Sequence, residues 1–133
     1  MYRVLVPLDS SERRATAQAK AVTALPDAEN AVTAVLLHVF ERRADAAAAP
    51  VTQLSSGSLV RDELAEADVD VATVSRQGDP IEEILDVARE RDVDCIVVGG
   101  RKRSSLGKLL FGSVTQAVIL NSNRPVMVAG DAG

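Results

Sequence analysis

The chain has 133 residues, a formal net charge of −4 and 47% hydrophobic residues, with three aromatic side chains, Tyr2, Phe40 and Phe111. That length suits a single domain, residues 1–133, able to bury a core without disulfides or metal staples. The acidic balance and the scarcity of aromatic stacking platforms argue against nucleic acid as a partner.

YRVLVPL (2–8) is short, β-branched and apolar and predicts a first strand. DSSERRATAQAKAVTAL opens with capping residues and then sets Ala15, Ala19, Val22 and Leu25 at helical spacing, which predicts a helix. AVTAVLLHVF (31–40) is apolar nearly throughout, as expected of a strand covered on both faces. Residues 41–58 are rich in Ala, Ser, Gly and Pro and read as an irregular connection before a short helix at about 58–67.

DVATVSRQG (70–78) predicts a third strand, and DPIEEILDVARERD the clearest helix. There Asp79 serves as cap, Pro80 stands where a missing N–H does no harm, Glu82 completes a capping box, and Ile81, Ile84, Leu85 and Ala88 line one face. DCIVVGG (94–100) is a fourth strand, followed by a glycine-rich basic loop, a helix from Ser113 to about Leu120, and a last strand PVMVA (125–129). Strands alternating with helices imply a parallel α/β sheet.

The loop GGRKRSSLGKLLFGSV carries the chemistry. It is not a phosphate loop of the Gly-x4-Gly-Lys-Ser/Thr type, because six residues separate Gly100 from Gly107 and Leu109 follows Lys108. The dinucleotide fingerprint Gly-x-Gly-x-x-Gly is missing after the first strand, where VPLDSS stands. Gly112 and Ser113, however, open a helix. Its unpaired N–H groups and dipole suit a phosphate, glycine permits close approach, and Arg101, Lys102, Arg103 and Lys108 add positive charge. Ser113 acting only as a helix cap is the simpler alternative. A lone cysteine, Cys95, excludes an intramolecular disulfide and reads as a small buried hydrophobe. With no bilayer-spanning apolar run and no signal-peptide pattern, a cytoplasmic protein without a membrane partner is expected.

YRVLVPLDSS, AVLLHV, QGDPIEEIL, CIVVGGRKRSSLGKLLFGSVTQAVI and NRPVMVA, in this order, resemble the universal stress protein family across nearly the whole chain. The family's nucleotide-binding members carry a glycine, two residues, a glycine, nine residues, then glycine and serine or threonine. The frame falls here on Gly99, Lys102, Gly112 and Ser113, with lysine in place of the second glycine. A position needing positive φ or close approach would make that replacement cost about 1–2 kcal/mol, whereas the ammonium attracts phosphate and the backbone N–H is retained.

The resemblance implies a Rossmann-like, adenine nucleotide alpha-hydrolase-like fold, an open five-stranded parallel sheet in the order 3-2-1-4-5. It also implies binding of ATP or AMP, with Mg2+ in the family's manner, by a stress-response or regulatory module with at most slow hydrolysis. Pro7, Asp9 and Val39 are then expected around the adenosine, Asp9 near the ribose or a phosphate-bound Mg2+, and Gly99, Arg101, Lys102, Arg103, Gly112 and Ser113 around the phosphates. Asp9 as a plain helix cap is compatible with that role. His38 reads as a partly buried strand residue, and Gln77 to Pro80 as a turn and cap. The last strand is expected to pair with its copy in a homodimer. The alternative is a dimeric module with the same fold that binds a protein partner in place of a nucleotide.

Overall fold

The computed structural model describes residues 1–40, 54–103 and 109–130, with the side chains of 101–103 and 109–110 outside the description. Five parallel strands form the main sheet. They are β1 (Tyr2–Pro7), β2 (Val32–Phe40), β3 (Asp70–Gln77), β4 (Cys95–Gly99) and, last in the chain, Val126–Ala129, numbered β7 here. Their order β3-β2-β1-β4-β7 is the expected 3-2-1-4-5 with the last strand as the fifth. The helices are α1 (Glu12–Thr23), the short α2 (Ala28–Ala31), α3 (Ser55–Glu66), α4 (Pro80–Glu90) and α5 (Ser113–Asn121).

Alternation along the strands builds two cores. Val4 and Val6 of β1, Ala34 and Leu36 of β2, and Cys95 and Val97 of β4 meet Ala15, Ala19 and Val22 of α1 and Val60 and Leu64 of α3. On the other face Leu5, Val35, Leu37, Ile96 and Val98 meet Ile84, Val87 and Ala88 of α4 and Val118 of α5. Successive side chains of a strand point to opposite faces, so strands with no polar alternation require helices on both sides. Cys95 belongs to the first core, and burial pushes its thiol up from the ordinary range, consistent with an inert hydrophobe.

Several elements differ from the sequence reading. Helix α3 starts at Ser55, three residues earlier than expected, because Ser56 and Gly57 are small enough to be buried against the sheet. The N-terminal part of the connection, 41–53, lies outside the described residues. The buried stripe of α4 is Ile84, Val87 and Ala88, while Ile81 and Leu85 are half-buried at its margins. Helices α3 and α4 stop without glycine: Asp68 (φ 58°) and Asp92 (φ 48°) take the left-handed position. The next N–H groups, of Val69 and Val93, return to the carbonyls of Leu64 and Ala88 at 2.9 and 3.1 Å. Asp79 caps α4 as expected, its carboxylate accepting the Glu82 N–H at 3.0 Å after the turn at Gly78.

The basic loop is not wholly irregular. Arg101–Arg103 (β5) and Leu109–Leu110 (β6) pair antiparallel, with Arg101 opposite Leu110 and Arg103 opposite Leu109. Three residues thus face two, and Lys102 is the extra residue of a bulge.

Candidate functional site

Strands β1 and β2 stay in register over six residue pairs, from Tyr2 and Val32 to Pro7 and Leu37. Strands β1 and β4 pair only at Val4 with Cys95 and Leu5 with Ile96. Beyond that point the two strands part, because the helices that follow them, α1 and α5, belong to opposite faces. The opening is the crevice at which doubly wound sheets accept ligands. It is a cleft of about 660 Å³, within the size range of small-molecule sites.

Gln18 closes the bottom of the gap. It is 3% exposed, and its amide Nε2 donates to the carbonyls of Pro7 at 2.8 Å and Val97 at 3.0 Å, one on each side of the split. Those carbonyls lose sheet partners where the strands diverge, and a side-chain amide supplies donors in their place.

The rim above is polar. Asp9 follows β1, and its Oδ1 accepts the Ser11 N–H at 2.9 Å while Oδ2 receives Nε and Nη2 of Arg14 at 3.0 and 2.7 Å. The Asp9 carbonyl accepts the hydroxyl of the buried Ser56 at 2.6 Å, which ties this corner to α3. Asp9 is therefore not the cap of α1; Ser11 is, its Oγ accepting the Arg14 N–H at 3.2 Å. Among the described residues lining the cleft, Asp9 is the carboxylate and Arg14 the guanidinium.

The inner wall is aliphatic: Leu37, Val39, Ile84, Val98, Val114 and Val118. His38 also lines it. Its Nδ1 lies 2.8 Å from the Leu8 carbonyl, and since that oxygen only accepts, Nδ1 carries the proton. Half-buried and edge-on to Phe40 at 4.4 Å, His38 is the strand residue expected, placed on the cleft side.

Gly99 ends β4 against Arg14. A Cβ built on Gly99 would stand 3.0 Å from the Arg14 Cβ, 3.4 Å from its Cγ and 3.5 Å from its Cδ, so the missing side chain is what lets the arginine stem lie along the strand end. Gly112 is the N-cap of α5, with no side-chain capping bond. Ser113 is the first helical residue and does not serve as the cap. The N–H groups of the first turn have no intrahelical partners, and this turn adjoins Gly99, whose carbonyl is 3.5 Å from Thr115 Oγ1.

Of the residues singled out in the sequence, Pro7, Asp9, Val39 and Gly99 come together as cleft lining. Gly112 and Ser113 open the helix whose Val114, Thr115 and Val118 line it. The backbone of Arg101, Lys102 and Arg103 forms β5, directly after Gly99 and Gly100, while their side chains and Lys108 lie outside the described residues. Sequence reasoning missed Arg14, Gln18 and Ser56. A polar Gln18 on the Ala15, Ala19 and Val22 face of α1 was the available signal for one of them.

Residues 1–130 match the model of the universal stress protein family. A universal stress protein of Methanocaldococcus jannaschii, MJ0577, is 38% identical over 69 residues, which is 52% of this chain and 43% of that protein. The chain spans less than half the length of the curated relatives it matches first. Among solved structures, a universal stress protein from Archaeoglobus fulgidus superposes with a TM-score of 0.75 at 26% identity, covering 96% of this chain and 98% of that one. Another from the same organism, in complex with dAMP, shares the fold at TM-score 0.69 and 21% identity, covering 96% and 97%.

Proposed function

The chain belongs to the universal stress protein family, and from that premise we propose that its cleft binds an adenine nucleotide, ATP or AMP, and that the protein acts as a stress-response or regulatory module. The observation that carries this reading is the meeting of Pro7, Asp9, Val39 and Gly99 at the β1/β4 opening beside the uncapped first turn of α5. The aliphatic wall offers a dry seat for a purine, with the main chain at Val39 at its edge. Gly99, Gly112 and Ser113 offer backbone close to phosphates, and a helix N-terminus favours their charge. Arg101, Lys102 and Arg103 bring basic residues to the same end of β4. Lys102 as the extra residue of a bulge leaves the β5/β6 pairing intact, so lysine there is compatible with the loop. The dAMP complex with the same fold is in keeping with this use of it.

Among the described residues no group of three or more His, Cys, Asp or Glu side chains is arranged to hold a metal ion. A Mg2+ carried on the phosphates would find Asp9 as the carboxylate among the described lining residues. We propose binding with at most slow hydrolysis; among the described lining residues Asp9 is engaged by Arg14 and the Ser11 N–H, and His38 Nδ1 by the Leu8 carbonyl.

Calorimetric titration with Mg-ATP and with AMP tests the reading. Micromolar affinity is expected, reduced at least about tenfold by Gly112→Leu, since a first-turn backbone that a phosphate must touch supplies charge-assisted hydrogen bonds. No heat and no thermal shift at millimolar nucleotide would overturn it and favour a partner-binding module.

We also propose a homodimer through 125–129. Strand β7 pairs with β4 on one side only, and Val126, Met127 and Val128 are half-exposed near a helix that exposes Leu120 at 81%. An open apolar edge invites a further strand. Sedimentation at micromolar concentration is expected to return twice the chain mass; a monomer would sink the proposal. We also propose a cytoplasmic site of action; no described helix is long and apolar enough to cross a membrane.

A further inference from the structure

We propose that Arg14 reads the phosphate of the bound nucleotide, and that Asp9 holds it in place until a phosphate takes it over. The inference rests on the adenine-nucleotide reading of the cleft and goes beyond it by naming the residue that separates nucleotide from nucleoside.

Three observations converge on Arg14. It occupies the first turn of α1, at the positive end of the helix dipole, where a cation is disfavoured. Departures from such local rules are expected at functional or strained sites. Its aliphatic stem runs along the bare α-carbon of Gly99 at the end of β4, and the side chain lines the same cleft as Gly99, Val114 and Thr115. And two of its three nitrogens, Nε and Nη2, converge on one oxygen of Asp9, Oδ2, while the other Asp9 oxygen is already engaged by the Ser11 N–H.

That pair is a weak hold. The side chains are 29% and 55% exposed, and exposed ion pairs contribute little. A phosphate offers the same planar fork several oxygens and up to two charges, a better bidentate partner than a single carboxylate oxygen. Transfer of Arg14 from Asp9 to phosphate would also release Asp9, in the same step, for the ribose or for a phosphate-borne Mg2+. An unphosphorylated nucleoside cannot drive the exchange, so the site would discriminate by phosphate and not by base alone.

The test compares adenosine and AMP, without metal, on the full chain and on Arg14→Met, which keeps the stem against Gly99 and removes the guanidinium. The full chain is expected to bind AMP more tightly than adenosine. Arg14→Met is expected to lose about 10- to 100-fold for AMP, the range for charge-assisted hydrogen bonds, with adenosine affinity not reduced. Circular dichroism and thermal unfolding of the variant establish that it is folded. An equal loss for both ligands would make Arg14 a packing residue, and no loss for AMP would remove it from the site; either overturns the proposal while leaving nucleotide binding standing. A full chain that binds neither ligand overturns the nucleotide reading itself, and this inference with it.

Discussion

Gln18→Leu is expected to lower the unfolding free energy by about 2–4 kcal/mol, since the buried Val97 carbonyl loses its donor at about 1–3 kcal/mol and the half-buried Pro7 carbonyl at about 1 kcal/mol. The change keeps the volume of the side chain and removes only its amide, so packing on α1 changes little. What is lost is the link across the split, from Pro7 on β1 to Val97 on β4, at the place where the strands no longer bond each other. Urea unfolding followed by far-ultraviolet circular dichroism measures the loss.

Gln18→Glu sharpens the test. A buried carboxylate facing two carbonyl oxygens has no donor, so burial would raise its pKa above the unfolded value. The folded state then holds a proton that the unfolded state gives up, and the variant loses stability as pH rises through the carboxylate range and recovers it on acidification. The parent chain should show no such difference between acid and neutral conditions at this site. A loss below about 1 kcal/mol for Gln18→Leu would mean that water replaces the amide.

Gly99→Val is expected to cost about 1–3 kcal/mol, the usual range for overpacking, and to weaken AMP binding about tenfold or more. The Cβ alone would stand 3.0 Å from the Cβ of Arg14, and the two branches of valine add contacts with the stem behind it. Helix α1 has to move away or Arg14 has to swing out, and in both cases the guanidinium leaves the strand end. The stability change comes from urea unfolding and the affinity change from titration of the folded variant. Gly99→Ala should show the same two effects at smaller size. A stable Gly99→Val that binds AMP as well as the parent would mean that the packing of Arg14 on Gly99 is dispensable.

The elements were legible because the strands are almost purely aliphatic and the helices carry their own stop and start residues. YRVLVPL and CIVVGG have no polar alternation, which excludes a sheet with a wet face. Val87 was passed over for Leu85 on α4 because a stripe drawn at helical spacing tolerates a shift of one position, and only the approach of β2 and β4 selects the buried residues. Helix α3 was placed late for a related reason. Ser55, Ser56 and Gly57 read as loop by composition, yet Ser56 is fully buried with its hydroxyl on the Asp9 carbonyl, a partner 47 residues away.

The family resemblance selected Pro7, Asp9, Val39, Gly99, Gly112 and Ser113, and the sheet order it implies sets Asp9 and Gly99 at the switch point where parallel sheets accept ligands. Local sequence could not select Arg14 and Gln18. Gln18 matters because two carbonyls from strands far apart in the chain are left without partners at the same depth, and Arg14 because a glycine 85 positions later leaves room for its stem. Element type is set by neighbours along the chain, whereas the partner of a buried amide or the lie of an arginine is set by atoms that only chain folding brings within 3 Å.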